Sequence, residues 1–196
     1  FHLEKGEAFD TPQAILSYSG TGLTKLSQQY HEIIREHICR GAYKHAKRPI
    51  LINNWEATYF NFNEEKILKI AEQAQKLGIE MLVLDDGWFG KREDDNSGLG
   101  DWFVNEKKMN GSMAQLAEKI HKMGMKFGLW FEPEMISEDS DLYRAHPDWA
   151  FAIPGRVPNH SRNQLVLDMT REDVREYLLE RLTTIVHDAK IDYVKW

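Results

Sequence analysis

The sequence predicts an α/β protein with a parallel sheet, and within that class about the first four β/α units of a (β/α)8 TIM barrel. Three observations point there. From Arg48 onward short apolar runs alternate with helix-patterned segments, which is how parallel strands joined by helical crossovers read. The runs are almost continuously apolar, as strands buried on both faces must be. Polar and aromatic residues gather at the carboxyl end of each run, the face on which barrel proteins build their sites. A doubly wound sheet also fits the alternation, but no glycine-rich phosphate loop follows the first run. A complete barrel needs roughly 250 residues, so the segment after Arg48 amounts to about half of one.

The elements follow in order. Residues 1–22 hold the turn signals Thr11-Pro12 and Ser19-Gly20-Thr21-Gly22 and read as strand and loop outside the repeat. Next comes a connecting helix whose face carries Leu26, Tyr30, Ile33, Ile34 and Ile38, with Gly41 where a helix would end. Cys39 lies in this apolar pattern and is expected to be a buried thiol. Being the single cysteine, it forms no internal disulfide, which suits a cytoplasmic protein. "PILINNW" is the first strand, Asn63 the N-cap of a helix with Ile67, Ile70, Ala71, Ala74 and Leu77 on one face, and Gly78 its stop. "IEMLVLDDGW" is the second strand; after a long polar loop, Met113, Leu116, Ala117 and Ile120 mark another helix, closed by Gly124. "MKFGLWFEPE" is the third. An irregular stretch then leads to "NQLVLDM", either a barrel strand or a strand beside the barrel. The helix face Val174, Tyr177, Leu178, Leu182 and Ile185 delivers "IDYVKW".

Composition narrows the partners. The chain has 42% apolar and 29% charged residues and a formal charge of −6. Nucleic acid and anionic membranes are held mainly by clustered Lys and Arg, and no such cluster is present. No apolar stretch reaches the length of a membrane span, and the first 30 residues lack a signal-peptide pattern. A chain that starts "FHLEKGE" and stops on a strand reads as a piece of something longer.

Function is sought at the strand ends. Trp55 offers a flat indole face to the C–H side of a sugar ring, or simply packs into the core. Asp85 and Asp86 repel one another and are costly to bury without donors, which a polyhydroxylated ligand supplies; alternatively Asp86-Gly87 is only a turn. Trp130 closes the third strand. Glu132 and Glu134, set in direction by Pro133, are expected to position other groups. Arg162, Asn163 and Gln164 lie in a loop within reach of a ligand. Lys195, on a strand that should be buried, requires an anion or a polar site. A divalent-metal reading, with Asp85, Asp86, Glu132 and Glu134 as oxygen ligands, predicts inhibition by chelators.

Taken together, "NNWEA" (53–57), "LDDGWF" (84–89), "GLWFEPEMI" (128–136), "HPDW" (146–149), "RNQLVLD" (162–168) and "YVKW" (193–196) closely resemble the bacterial α-galactosidases of glycoside hydrolase family 36. The resemblance implies that residues 1–22 end an N-terminal β-sandwich domain, 23–47 form a linker helix and 48–196 begin a catalytic barrel. It implies retaining hydrolysis of terminal α-linked galactose from melibiose and raffinose-type oligosaccharides, in a homo-oligomer needing no cofactor and no metal. Retaining chemistry uses two carboxyl groups about 5–5.5 Å apart. In the family the nucleophilic aspartate directly follows the Lys-Trp of this strand, so it is expected immediately after Trp196, with the acid/base further on. Neither is in this chain, which alone is expected to be inactive. The residues that match the family's galactose-binding set are Trp55, Asp85, Asp86, Trp130, Arg162 and Lys195. A relative acting on another α-linked sugar, one transferring galactose, and a non-catalytic sugar-binding fragment are the other readings.

Overall fold

The computed structural model describes residues 2–196 and divides the chain into two units, residues 1–48 and residues 49–196. Phe1, the first residue of the expected N-terminal segment, lies outside the described residues.

In the first unit, residues 2–22 are turns and irregular chain, with no strand among the described residues. The expected strand is not formed, because a strand requires a ladder partner and this segment has none. It is tied to the helix that follows by side chains: Tyr30 donates to the Ile15 carbonyl at 3.0 Å and Ser17 to Gln29 at 3.2 Å. Helix α1 (Leu23–Ile33) half-buries Leu26, Tyr30 and Ile33 and passes into a π-helical turn, Ile34–Ile38, closed by Cys39 N–H on the Ile34 carbonyl at 2.8 Å. The wider turn rotates the apolar stripe outward: Ile34 and Ile38 are exposed, and the helix stops before Gly41. Cys39, just past its end in extended backbone, is half-buried instead of buried.

The second unit is a four-stranded parallel sheet with its helical connections. Its elements are β1 (Leu51–Asn53), α2 (Trp55–Thr58), α3 (Glu64–Lys76), β2 (Met81–Leu84), α4 (Met113–Lys122), β3 (Lys126–Trp130), β4 (Met135–Ile136), α5 (Asp141–Ala145), a 3-10 turn (Pro147–Trp149), β5 (Leu165–Val166), α6 (Glu172–Asp188) and β6 (Tyr193–Lys195). The sheet order is β1-β2-β3-β6, with Leu51 opposite Met81, Leu82 opposite Phe127 and Leu129 opposite Val194. β5 pairs antiparallel with β4 in a separate two-stranded ribbon. "LVLD" therefore lies beside the sheet, and "IDYVKW" supplies its fourth strand.

The interior strands are buried on both faces, as their unbroken apolar runs require. Met81, Leu82, Val83 and Leu84 are all buried, each contributing about 1.5–3 kcal/mol relative to exposure. Helix α3 buries Ile67, Ala71 and Ala74, and α4 buries Met113, Leu116, Ala117 and Ile120. Leu77 departs from expectation: it is the C-cap residue, past the last helical turn, and is 83% exposed. Both starts are fixed locally. Ser112 and Gln115 form a reciprocal capping box on α4, and the Asn63 side chain accepts the Lys66 N–H at 3.0 Å on α3. Asn63→Ala is expected to cost about 1 kcal/mol, to be read from the urea midpoint at unchanged slope. The outer strands are open, with Leu51, Tyr193 and Val194 exposed.

Candidate active site

Each parallel strand delivers its chemistry just beyond its carboxyl end. β2 leads directly into Asp85 and Asp86, both about 5% exposed, and the chain turns sharply at Gly87, where φ is +97°. A side chain there would collide with the Phe60 ring, so the turn that aims the carboxylates requires glycine.

Asp85 is held from two other strands and from its own turn. Lys195 on β6 donates to its Oδ2 at 2.6 Å, Asn53 at the end of β1 donates to the same oxygen at 2.5 Å, and its own Oδ1 accepts the Asp86 N–H at 2.9 Å. Asn54, fully buried, accepts the Asp85 N–H at 2.8 Å and donates to Thr58. The lysine thus meets the anion that its strand position called for, and the two asparagines brace the site from behind.

Asp86 has a different partner. Arg92, with no exposed surface, places Nε 3.0 Å from Oδ1 and a terminal nitrogen 2.9 Å from Oδ2, a two-pronged charge-assisted grip. Burial pushes the Asp86 carboxyl above its ordinary value, and the Arg92 guanidinium only partly offsets it. The two aspartates are therefore satisfied by separate cations of the chain, Asp85 by the partly exposed Lys195 and Asp86 by the buried Arg92. A ligand is not needed to compensate their burial.

The opposite wall comes from β3 and the irregular segment that follows it. Glu132 accepts from Arg162 at 2.8 and 3.1 Å and from buried Gln164 at 3.1 Å, while Glu134 accepts the Trp196 indole N–H at 3.1 Å. Each glutamate thus holds a neighbouring pocket residue, Glu132 holding Arg162 and Glu134 holding Trp196. Arg162 and Asn163 both have positive φ, 49° and 61°, and form the tip of a tight turn closed by paired Ser161 and Gln164 backbone bonds of 3.1 Å. Arginine in this conformation costs about 1–3 kcal/mol. The turn sends Arg162 towards Glu132 and Asn163 away, onto Asn96 at 2.9 Å. Because Arg162 is 59% exposed, Glu132→Gln is expected to change stability by less than about 1 kcal/mol. Thermal unfolding of the two proteins checks this.

All six sequence-predicted residues, Trp55, Asp85, Asp86, Trp130, Arg162 and Lys195, line one pocket of about 410 Å3, together with Phe131, Glu132, Glu134 and Trp196. Trp55 stands at the start of α2, edge-on to Tyr59 and Phe60. Trp130 belongs to an aromatic cluster with Phe89 and Trp102, and its carbonyl accepts the Trp88 indole N–H at 3.0 Å. Carboxylate acceptors, two cationic donors and indole faces around a cavity of this size suit a ring bearing several hydroxyls. Among the described residues no three His, Cys, Asp or Glu side chains converge as ligands for a metal ion. The four carboxylates concerned each hold a different donor. No helix of the described residues is long and apolar enough to cross a membrane.

Sequence reasoning missed Arg92. It sits in the charged run "GKREDDNSGLGD", which reads as a solvated loop. Only its spacing of six residues from Asp86 hints at a partner.

Fold and pocket together define an α/β protein with a polar, indole-walled site at the carboxyl ends of parallel strands. The melibiase family model matches residues 8–196, and the chain belongs to that family, glycoside hydrolase family 36. It is 58% identical over 196 residues to the bifunctional alpha-galactosidase/sucrose kinase AgaSK of Mediterraneibacter gnavus, covering all of this chain and 21% of that protein. It is 54% identical over 194 residues to the alpha-galactosidase AgaA of Geobacillus stearothermophilus, covering 99% of this chain and 27% of that one. A crystal structure of an AgaA variant in complex with raffinose superposes with a TM-score of 0.88 at 54% identity, over 91% of this chain and 25% of that one. The chain spans about a quarter of the length of these relatives.

Proposed function

We propose that the protein is a retaining α-galactosidase that removes terminal α-D-galactose from melibiose and raffinose-type oligosaccharides, and that this chain carries its galactose-binding wall. One observation carries the reading: the six residues singled out from the sequence converge on one pocket, with Lys195 on Asp85 across the sheet. The crystallised complex of a relative with raffinose supports the substrate class.

In this reading the four parallel strands are the first half of a (β/α)8 barrel, residues 23–47 the linker helix and residues 1–22 the end of a β-sandwich domain. Asp85 and Asp86 accept hydrogen bonds from galactose hydroxyls far from the anomeric carbon, Trp55 and Trp130 wall the ring, and Arg162 donates at the rim. Lys195 has two tasks. It neutralises Asp85, and it holds a positive charge beside the position of the nucleophile expected directly after Trp196. That carboxylate attacks the anomeric carbon while a second carboxylic acid, from later sequence, protonates the departing oxygen; water then releases the sugar from the enzyme. The pocket geometry bears on binding and the missing pair on catalysis, so residues 1–196 alone are inactive. We further assign the whole protein to the cytoplasm, which the single cysteine of this chain suits, and to a homo-oligomer, as the family resemblance implies.

The test is to read the codons after Trp196 and to assay the full-length product on raffinose. An aspartate at the first codon, and galactose release that follows retention of anomeric configuration by NMR, are the expected results. A non-carboxylate at that codon, or an inert full-length protein, sinks the reading.

A further inference from the structure

Asp86 lines the pocket, and Arg92 does not. Arg92 nevertheless takes hold of both Asp86 oxygens, and the surrounding loop is shaped to keep it there. Its other terminal nitrogen donates to the Ser97 carbonyl at 2.9 Å, and its guanidinium lies 5.6 Å from the centre of the Phe60 ring. Gly98, at φ +82°, passes so close that any side chain would lie 2.9 Å from the Arg92 backbone nitrogen. A buried arginine with this many fixed contacts has no freedom to reorient, and its planar fork dictates the plane of the carboxylate it grips.

We propose that Arg92 is a positioning residue for the sugar site: by occupying the rear of the Asp86 carboxylate it fixes that group's plane and leaves only pocket-facing lone pairs to accept from ligand hydroxyls. The inference rests on the galactose-binding reading given above. It adds a specificity element, because an acceptor locked in one plane rewards a hydroxyl in one orientation and penalises its epimer, whereas a freely turning carboxylate serves both. The charged groups around Asp86 are Arg92, Asp85 and Asp95, with Lys108 contributing from the loop before α4 and Lys195, bound to Asp85, lining the same pocket. Arg92 is the one that touches both its oxygens.

The decisive experiment is a cycle in the full-length protein: wild type, Arg92→Lys, Asp86→Asn and the double variant. Galactose affinity by calorimetry and kcat/KM on an α-galactoside are followed alongside thermal unfolding. Lysine keeps the charge and loses the fork. Arg92→Lys is expected to weaken galactose at least tenfold, mainly through KM, and to narrow discrimination between galactose and its C4 epimer glucose. In the Asp86→Asn background the same substitution should change affinity less than twofold. Equal losses in both backgrounds, or unaltered affinity in a folded Arg92→Lys protein, overturn the proposal. Should Arg92→Lys not fold, Asp95→Asn tests the same linkage, since the Asp95 side chain is half exposed and 3.4 Å from Arg92. Removing its competing charge should shift the pH dependence of galactose binding downward, and no shift overturns the proposal. Wild-type protein that binds galactose without hydrolysing an α-galactoside defeats the enzymatic reading alone, because the cycle is still scored by affinity.

Discussion

Arg92→Met is expected to lower the unfolding free energy by about 3–5 kcal/mol near neutral pH, because it strands the Asp86 carboxylate in the interior without its cation. The size of the loss should depend on pH. Burial already raises the Asp86 carboxyl above its ordinary 3.8 even with Arg92 beside it. A raised carboxyl means that the folded protein binds its proton more tightly than the unfolded chain. Stability contributed by this group is then greatest in acid, and it falls as pH rises from the ordinary value through the folded one. Without the guanidinium the folded value climbs further and the window widens upward. The deficit of Arg92→Met should therefore be full at neutral pH and shrink as pH falls through the variant's raised value. What remains in acid is the lost Ser97 bond and the packing on Phe60. Urea unfolding of both proteins across this range is the measurement; a deficit that does not change with pH would show that the ion pair is not its source.

The second large effect belongs to Asp85. Asp85→Ala removes the acceptor shared by Lys195 and Asn53 and, in the proposed function, a direct ligand of the sugar. Hydrogen bonds to a charged group are worth about 1.5–3 kcal/mol each. Losing two or more such bonds to the ligand is expected to reduce kcat/KM of the full-length protein by roughly a hundredfold or more. Folding should suffer less than in Arg92→Met, since the Lys195 side chain is 45% exposed and can return its charge to water. Steady-state kinetics together with a melting curve would separate the two. A variant that melts normally and turns over within a few fold of wild type removes Asp85 from the ligand.

Much of this could be read from the chain because local and tertiary preferences agree. β2 announced itself by four apolar residues in a row, and it is buried on both faces. α3 and α4 were marked by caps and stripes together, and the stripes of α4 lie in the core throughout. The pocket residues were legible because strand ends in a parallel sheet converge on one face, so a list of polar strand-end residues is already a list of neighbours. What failed has equally physical causes. "GKREDDNSGLGD" is charged, yet Leu99 and Arg92 within it are fully buried and Asp101 nearly so. Asp101 is satisfied there by the N–H groups of Asp141 and Leu142 at 3.0 and 2.9 Å, partners some forty positions away that no local pattern displays. The π-helical turn after α1 adds one residue to a helical circuit, which no apolar period foretells. β5 is two residues long and pairs outside the sheet, so its apolar run looks like a barrel strand without being one.

The β4–β5 ribbon separates two burdens that most binding loops carry together. Residues 151–163 are exposed along their whole length, and only the tip of the Ser161–Gln164 turn reaches the pocket, through Arg162. Nothing in the hydrophobic interior depends on how long that excursion is or what it is made of. Descendants of this sequence can lengthen, shorten or graft the arm while the sheet behind it keeps folding as before. The rim that Arg162 forms is thereby free to drift, and the wall built on the strand ends is not.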